Sequence, residues 1–295
     1  MDPLRWESRP RLRRPVLIAA FEGWNDAGEA ASLATRYLGG AWSVRRFALI
    51  DPEEFYDFTD NRPQIRMLEG LVRRVEWPAN ELAAGAVAGT DHDAIVLRGV
   101  EPQLRWRTFT DLVVDVAKQF RVELVVTLGA LLAEVSHRSP VPVVGSAATA
   151  ELGGRLGLPL PTYQGPTGIV GVLHPAMAEA GIASASLWAS APHYLAQTRS
   201  PKAALALVRR VAGLLAATVN TADLEAAAAQ YERQVDEAVA GNQELSHYIE
   251  GLESATPEPD RPPAAGAGEQ ARLEPLAGES LAAEVARFLR EQDRG

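Results

Sequence analysis

At 295 residues the chain is long enough for one large α/β domain with appendages or for two small domains, and 47% hydrophobic residues allow a sizeable core. A formal net charge of −9 weighs against a nucleic-acid-binding surface as its main purpose. The lack of cysteine excludes disulfides, thiol nucleophiles and cysteine-ligated zinc, and fits a reducing cytoplasm. No stretch approaches the roughly 20 apolar residues of a membrane span. Val16 to Phe21 is too short for a signal-peptide core and is followed by Glu22.

Residues 1–15 carry Arg5, Arg9, Arg11, Arg13 and Arg14 and read as a basic, solvated N-terminal arm. Val16 to Phe21 has the length and apolarity of a buried strand. It runs into Glu22-Gly23-Trp24-Asn25-Asp26, where Asn25 or Asp26 can cap a helix beginning at Ala27-Gly28-Glu29. With Asp26 as cap, Glu29 takes the third helical position of a capping-box variant. Ala30 to Leu38 continue the helix and Gly39-Gly40 end it. α/β proteins place ligands or partners at such a corner, because the free N–H groups of the helix start point outward there.

Val44 to Ile50 reads as the next strand. The aromatic and acidic segment Glu53 to Pro63 is either a loop whose aromatics plug the core or an exposed recognition loop. Ile65 to Met67 and Leu71 to Trp77, with Glu69-Gly70 between them, form a hairpin pattern. Asp93 to Arg98 is a buried strand with a polar exit at Gly99-Val100-Glu101-Pro102. Phe109, Leu112, Val113, Val116 and Phe120 follow at helical spacing, with Thr108 or Thr110 as cap. Val122 to Leu128 is the strongest strand and exits at Gly129-Ala130. Val141 to Val144 is a short strand, and Ala147 to Leu156 is helical. A turn at Gly165 to Gly168 opens a helix from Thr167 to Ala180, kinked or broken at Pro175. Ile182 to Ala189 is the last strand, and Ser200-Pro201 caps and starts a further helix. This alternation predicts a three-layer α/β/α fold with a mostly parallel sheet and an added hairpin across residues 16–220.

Gly23-Trp24-Asn25-Asp26-Ala27-Gly28, placed just after the first strand, resembles the signature of the PAC2 family, which includes proteasome assembly chaperones and many archaeal and actinobacterial proteins. Tyr56-Asp57-Phe58, Arg62-Pro63, Tyr163 to Ile169, the strand from Gly181-Ile182 to Trp188, and Pro192-His193-Tyr194 are similar to that family too. The alanine-rich chain, with Lys118 and Lys202 as its only lysines, agrees with an actinobacterial-type member. The resemblance implies nucleoside-phosphorylase-like layering and a role around proteasome assembly or a related complex. Assembly chaperones in this family can use a C-terminal motif of a hydrophobic residue, a tyrosine and any last residue. This sequence ends Arg290-Glu291-Gln292-Asp293-Arg294-Gly295 without that motif, so docking by the tail is not expected.

Residues 221–254 hold the stripe Leu224, Ala228, Tyr231, Val235, Ala238, Asn242, Leu245, Ile249 and Leu252 at alternating steps of four and three, a heptad pattern with Asn242 as its lone polar member. One apolar face at this spacing serves pairing between chains or packing on its own domain equally well. Residues 255–278, with Pro257, Pro259, Pro262 and Pro263, read as a linker, and residues 279–295 as a short amphipathic tail helix with Leu281, Val285, Phe288 and Leu289.

No P-loop, HExxH motif or nucleophile elbow occurs, and the five histidines are scattered. The expectation is therefore no catalytic residue, no metal and no cofactor. The one constellation with chemical weight lies beyond strand C-termini or at helix starts: Gly23, Trp24, Asn25, Asp26, Gly28, Glu101, Gly129, Gly165, Thr167 and Gly168. Singly, these residue types are caps and turn-formers. Together they form a candidate crevice for a ligand or partner. Two functions follow as expectations: a non-catalytic, oligomeric, cytoplasmic protein-binding factor, or a small-molecule-binding protein or enzyme using the strand-end crevice.

Overall fold

Unbroken apolar runs become strands buried on both faces, and Val16 to Phe21 and Ala94 to Leu97 are fully enclosed. The computed structural model describes residues 3–68 and 72–254. The linker, the tail helix and the turn of the hairpin therefore lie outside the described residues. In chain order the elements are β1 (Leu4–Trp6), β2 (Val16–Glu22), α1 (Ala30–Ala41), β3 (Arg45–Ile50), β4 (Gln64–Leu68), β5 (Val72–Glu76), β6 (Asn80–Ala86), β7 (Asp93–Val100) and α2 (Trp106–Phe120). There follow β8 (Leu124–Ala133), β9 (Val143–Ala147), α3 (Ala150–Leu156), α4 (Ile169–Glu179), β10 (Ser184–Pro192), α5 (Pro201–Leu215), α6 (Ala222–Ala240) and α7 (Gln243–Ser254).

Eight strands form one sheet in the order β1-β3-β6-β7-β2-β8-β10-β9. The four central strands, β7, β2, β8 and β10, run parallel. Antiparallel strands flank them on both sides, so the sheet as a whole is mixed. One face packs under α1 and α5 through Ile18, Ala20, Val96 and Leu207. The other packs under α2 and α4 through Leu17, Phe21, Leu97, Phe109 and Leu173. The result is three layers, with the C-terminal ends of the parallel strands gathered on one edge.

Several local expectations need correction. The N-terminal segment is not a solvated arm: β1 closes one side of the sheet against β3, Leu4 is buried, and Trp6 stacks on Phe47 at 5.9 Å. Its arginines neutralise carboxylates of the main domain, Arg14 on Asp91 and Glu123, Arg13 on Asp93. Gly39-Gly40 do not stop α1, which runs to Ala41; Gly39 sits where a Cβ would press on Val44 at 3.2 Å. Neither Thr108 nor Thr110 caps α2, which already starts at Trp106. α4 runs through Pro175 as one helix. The cap at Ser200 stands as expected, its hydroxyl accepting from Ala203 N–H at 3.3 Å.

β6 is absent from the sequence reading. Its Asn-Glu-Leu-Ala-Ala-Gly-Ala run has weak strand propensity and is held by pairing on both sides, to β3 and β7. The aromatic, acidic loop plugs the core: Phe55 packs edge-on to Phe109 at 5.5 Å, and the Tyr56 hydroxyl donates to the Val100 carbonyl at 2.6 Å.

Because Trp6 joins Phe47 and Phe120 across the added edge strand, Trp6→Ala will lower unfolding free energy by about 2 kcal/mol, less than for a fully buried tryptophan. Urea denaturation checks this. A loss under about 0.5 kcal/mol would return the segment to the status of a free arm.

Candidate functional site

The strand-end edge is built from four backbone arrivals. β2 leaves the sheet at Glu22, turns at Gly23 (φ +121°), and places Asn25 and Asp26 beside the extension of β8. There the Asn25 carbonyl accepts from Ala130 N–H at 2.8 Å, and Asp26 bridges Ala130 in parallel register. β7 ends with Glu101, whose N–H donates to the Glu22 carbonyl at 2.9 Å. Finally, α4 brings its N-terminus in through Gly168 and Ile169.

Glu101 joins three of these pieces. Its Oε1 accepts from Asn25 Nδ2 and from Ile169 N–H, both at 2.7 Å. It thus caps α4 from another element and holds the β2 corner in the same grip. Burial pushes the Glu101 carboxyl above the usual range, against the Ile169 and Asn25 donors that favour its charged form. Gly168 completes the joint by having no side chain: a Cβ there would lie 2.2 Å from Asn25 Nδ2 and 2.5 Å from Glu101 Oε1. Asn25 is buried, and its Oδ1 faces Gly168 without a hydrogen bond.

Asp26 is also buried and faces inward. Its Oδ1 accepts from Ala31 N–H at 2.7 Å and Ser32 N–H at 3.3 Å. It therefore caps α1 one turn later than the sequence suggests. The expected capping box does not form: Ala27 to Glu29 is a short 3₁₀ turn, Glu29 adopts φ +51°, and its carboxylate pairs outward with Arg199 at 2.8 Å. Gly28, at φ +60°, is wedged against the α5 cap, with its carbonyl accepting from Ser200 N–H at 2.8 Å. Burial raises the Asp26 carboxyl, opposed by the Ser32 and Ala31 donors.

The remaining candidates are not in that joint. Gly129 is internal to β8, which does not exit there but continues to Ala133; the Trp188 ring of β10 lies over it, and a Cβ would stand 2.3 Å from the ring. Gly165 and Thr167 are exposed in the approach to α4, where the Tyr163 hydroxyl donates to the Pro166 carbonyl at 2.8 Å. Trp24 is 42% exposed, and Leu104, Leu132 and Tyr163, on the segments that lead to or from the joint, are exposed as well. Among the described residues no group of three or more metal-ligating side chains is assembled.

A model of the PAC2 family matches residues 20–239. The chain belongs to the PAC2 family. A PAC2 family protein from Streptomyces avermitilis is 42% identical, with a TM-score of 0.75 over 80% of this chain and 99% of that one. A proteasome-assembly chaperone homologue from Mycobacterium tuberculosis is 44% identical, with a TM-score of 0.72 over 79% of this chain and 99% of that one. An archaeal proteasome activator from Pyrococcus furiosus shares the fold at 17% identity and a TM-score of 0.64, over 79% and 97%. No curated protein matches the chain. No described helix is long and apolar enough to cross a membrane.

In this PAC2 chain the heptad-patterned stripe lies on two helices, not one. Asn242 stands in the break, where its Oδ1 accepts from Leu245 N–H at 3.1 Å as the cap of α7; it is a helix cap and not a polar member of a continuous seam. Leu224 joins the main core. Tyr231, Val235, Leu245 and Ile249 pack with Tyr194 and Leu195 of the same chain, and Leu252 lies against them. The socket is polar at its centre. His137 is fully buried, takes the Tyr194 hydroxyl at Nδ1 (2.8 Å), and meets Asp236 at Nε2 (3.1 Å). Lys202 donates to the His137 carbonyl at 2.6 Å and pairs with Glu232. A neutral ring with its proton on Nε2 satisfies both partners. Burial lowers the His137 value, with Asp236 opposing, and pushes Tyr194 up to about 12.

Two outcomes follow. Glu101→Ala strips the Ile169 N–H and Asn25 amide of their acceptor and will cost about 1–3 kcal/mol in urea denaturation, whereas Glu101→Gln keeps an acceptor and stays within about 1 kcal/mol of wild type. Since the folded Glu101 value is raised, its contribution is full below the ordinary carboxyl range and lost as pH rises through the raised one; Glu101→Gln flattens that dependence. His137 has the opposite sign. Its folded value lies below the unfolded ~6.5, so its stability is present above that pH and lost as pH falls. Protection factors across residues 222–254, corrected for the intrinsic pH dependence of amide exchange, will fall between pH 7 and pH 5 before those of the α1–α5 layer do. Protection unchanged over that range would contradict the neutral-histidine socket.

Proposed function

We propose that this chain is a non-catalytic, oligomeric protein-binding factor of the cytoplasm, acting as a proteasome-assembly-chaperone-like protein, with the strand-end edge as a docking edge. The observation that carries this reading is the state of Asn25, Asp26 and Glu101. These side chains hold helix starts and corners of their own chain, and Gly168 fills the gap between them. A general acid or base needs room for a reacting atom within hydrogen-bond reach; this joint offers none. Trp24, Leu104, Leu132 and Tyr163, on the segments that lead to or from the joint, are exposed apolar side chains, which suits contact with protein. The relative from Mycobacterium tuberculosis, a proteasome-assembly chaperone homologue, supplies the nature of the partner.

The small-molecule reading finds less support. The cavity beside His137 is about 10 Å³, room for a single water. A wider cleft of about 200 Å³ opens on the α1 side between Trp77, Arg36 and Arg98, but Glu22 and Glu81 balance its cations, and Arg98 is engaged by Glu81 at 3.3 Å.

The test mixes the full chain with unassembled proteasome α and β subunits of the same species and follows complexes by native electrophoresis and sedimentation. The expected result is a complex with free α subunits or partly built rings, and a faster appearance of complete particles. No complex at tens of micromolar, with unchanged assembly rate, would overturn the proposal.

A further inference from the structure

The hairpin β4–β5 pairs only with itself, as a two-stranded sheet apart from the main one. Its register sets Ile65 opposite Val75 and Met67 opposite Arg73, so these four side chains share one face of the ribbon. Ile65, Met67 and Val75 are 46–64% exposed there. The reverse face holds Gln64, Arg66, Arg74 and Glu76 beside Val72, with Arg66 paired to Glu76 at 2.6 Å. The ribbon is thus amphipathic, and the described residues leave its apolar face open. A lone two-stranded hairpin is at best marginally stable in water and needs a covering layer.

A matching surface is written in the same sequence. Residues 279–295 lie outside the described residues, and at helical spacing Leu281, Val285, Phe288 and Leu289 fall in one stripe about 100° wide. Glu284 and Glu291 border one side of that stripe and Asp293 the other, while Arg287, Arg290 and Arg294 fall on the back. The ribbon has the opposite sign: Arg73 stands among its apolar residues and Arg74 on its reverse, and neither has an ion pair among the described residues. Apolar faces bordered by opposite charges are complementary. The dimensions agree as well. A helix over 281–292 is about 18 Å long and about 10 Å across, and strands of five residues about 4.8 Å apart make a ribbon about 17 Å long.

The tail is tethered within reach. Trp77, at the foot of the ribbon, lines a cleft with Glu22 and Gly99 at the ends of β2 and β7. Near the end of α7, Glu253 accepts from the Ser136 hydroxyl at 2.8 Å, just past the end of β8. β7 and β8 flank β2, so these two strand ends are about 10 Å apart. The 24 residues of 255–278, read from sequence as a linker, span about 27 Å as a flexible chain. We propose that residues 279–295 dock as an amphipathic helix on the Ile65–Met67–Val75 face of β4–β5 in the same chain. A short helix and a lone ribbon are each marginal alone, and each supplies the apolar layer that the other lacks. The tail so placed keeps the ribbon's apolar face from outside partners, and the contact needs no tyrosine motif at the C-terminus.

Amide exchange of the β4–β5 ladder, compared between the 295-residue chain and one ending at Gly278, tests this. The truncation removes none of the described elements. The expected result is protection of the ladder about tenfold higher in the longer chain, at every protein concentration, with β2 and β7 unchanged. Phe288→Asp will lower ladder protection to the truncated level. Arg73→Glu will do the same, and adding Glu284→Arg/Glu291→Arg to that variant will restore it. Three results would overturn the proposal: equal protection in the two chains, a difference that grows with protein concentration and so reports contact between copies, or a charge-exchanged chain that stays unprotected.

Discussion

One buried carboxylate holds the strand-end edge together. Glu101 ends β7, accepts from the side chain that ends β2, and accepts from the first N–H of α4. A helix N-terminus carries partial positive charge and unpaired donors, so a carboxylate placed there is held by both. The grip works only because Gly168 allows the α4 backbone to approach within a distance that any Cβ would forbid. Asp26 does the same for α1 from the other side of the corner, and the Asn25 carbonyl ties that corner to β8. Three parallel strands and two helices thus depend on groups that a catalytic reading would have assigned to chemistry.

That economy of polar groups shapes the outside. Asn25, Asp26 and Glu101 turn inward, while Trp24, Leu104, Leu132 and Tyr163 on the adjoining segments are exposed. Rigid backing beneath an apolar rim is what a protein contact requires, since little ordering entropy is lost on docking. The ribbon springs from the same edge beyond the loop that Phe55 and Tyr56 anchor in the core, and Phe58 and Trp77 meet at its base at 4.8 Å. On the far end of the chain the polar His137 socket fastens α6 and α7 to the body.

Much of this was legible in the residues. Strands β2, β7 and β8 announce themselves as apolar runs, and Ser200-Pro201 as a cap, because burial and capping are local demands on local sequence. The PAC2 resemblance at Gly23 to Gly28 and Tyr163 to Ile169 lies on the two segments that meet at Glu101. What was not legible depends on neighbours distant in sequence. β6 is alanine-rich and becomes a strand only between β3 and β7. Gly129 looks like a strand exit, but it is small because Trp188 needs its place. Asp26 looks like the cap of the next residue, yet a 3₁₀ turn carries the helix start to Ala30. The stripe from Leu224 to Leu252 has the same spacing whether it faces another chain or its own; Gly241-Asn242 divides it, and Tyr194 and Leu195 supply the partner face.

A structural lock at the strand-end corner and a site awaiting a small ligand differ in how readily the corner opens. Residue-resolved amide hydrogen exchange on the free chain at neutral pH tests it most directly, through the N–H groups of Ala31, Ala130 and Ile169. As members of the lock they will exchange only with global unfolding, in the slowest class alongside the centres of β2 and β7. Exchange of these amides by low-cost local opening, far faster than that of the central strands, would show a mobile corner and no lock.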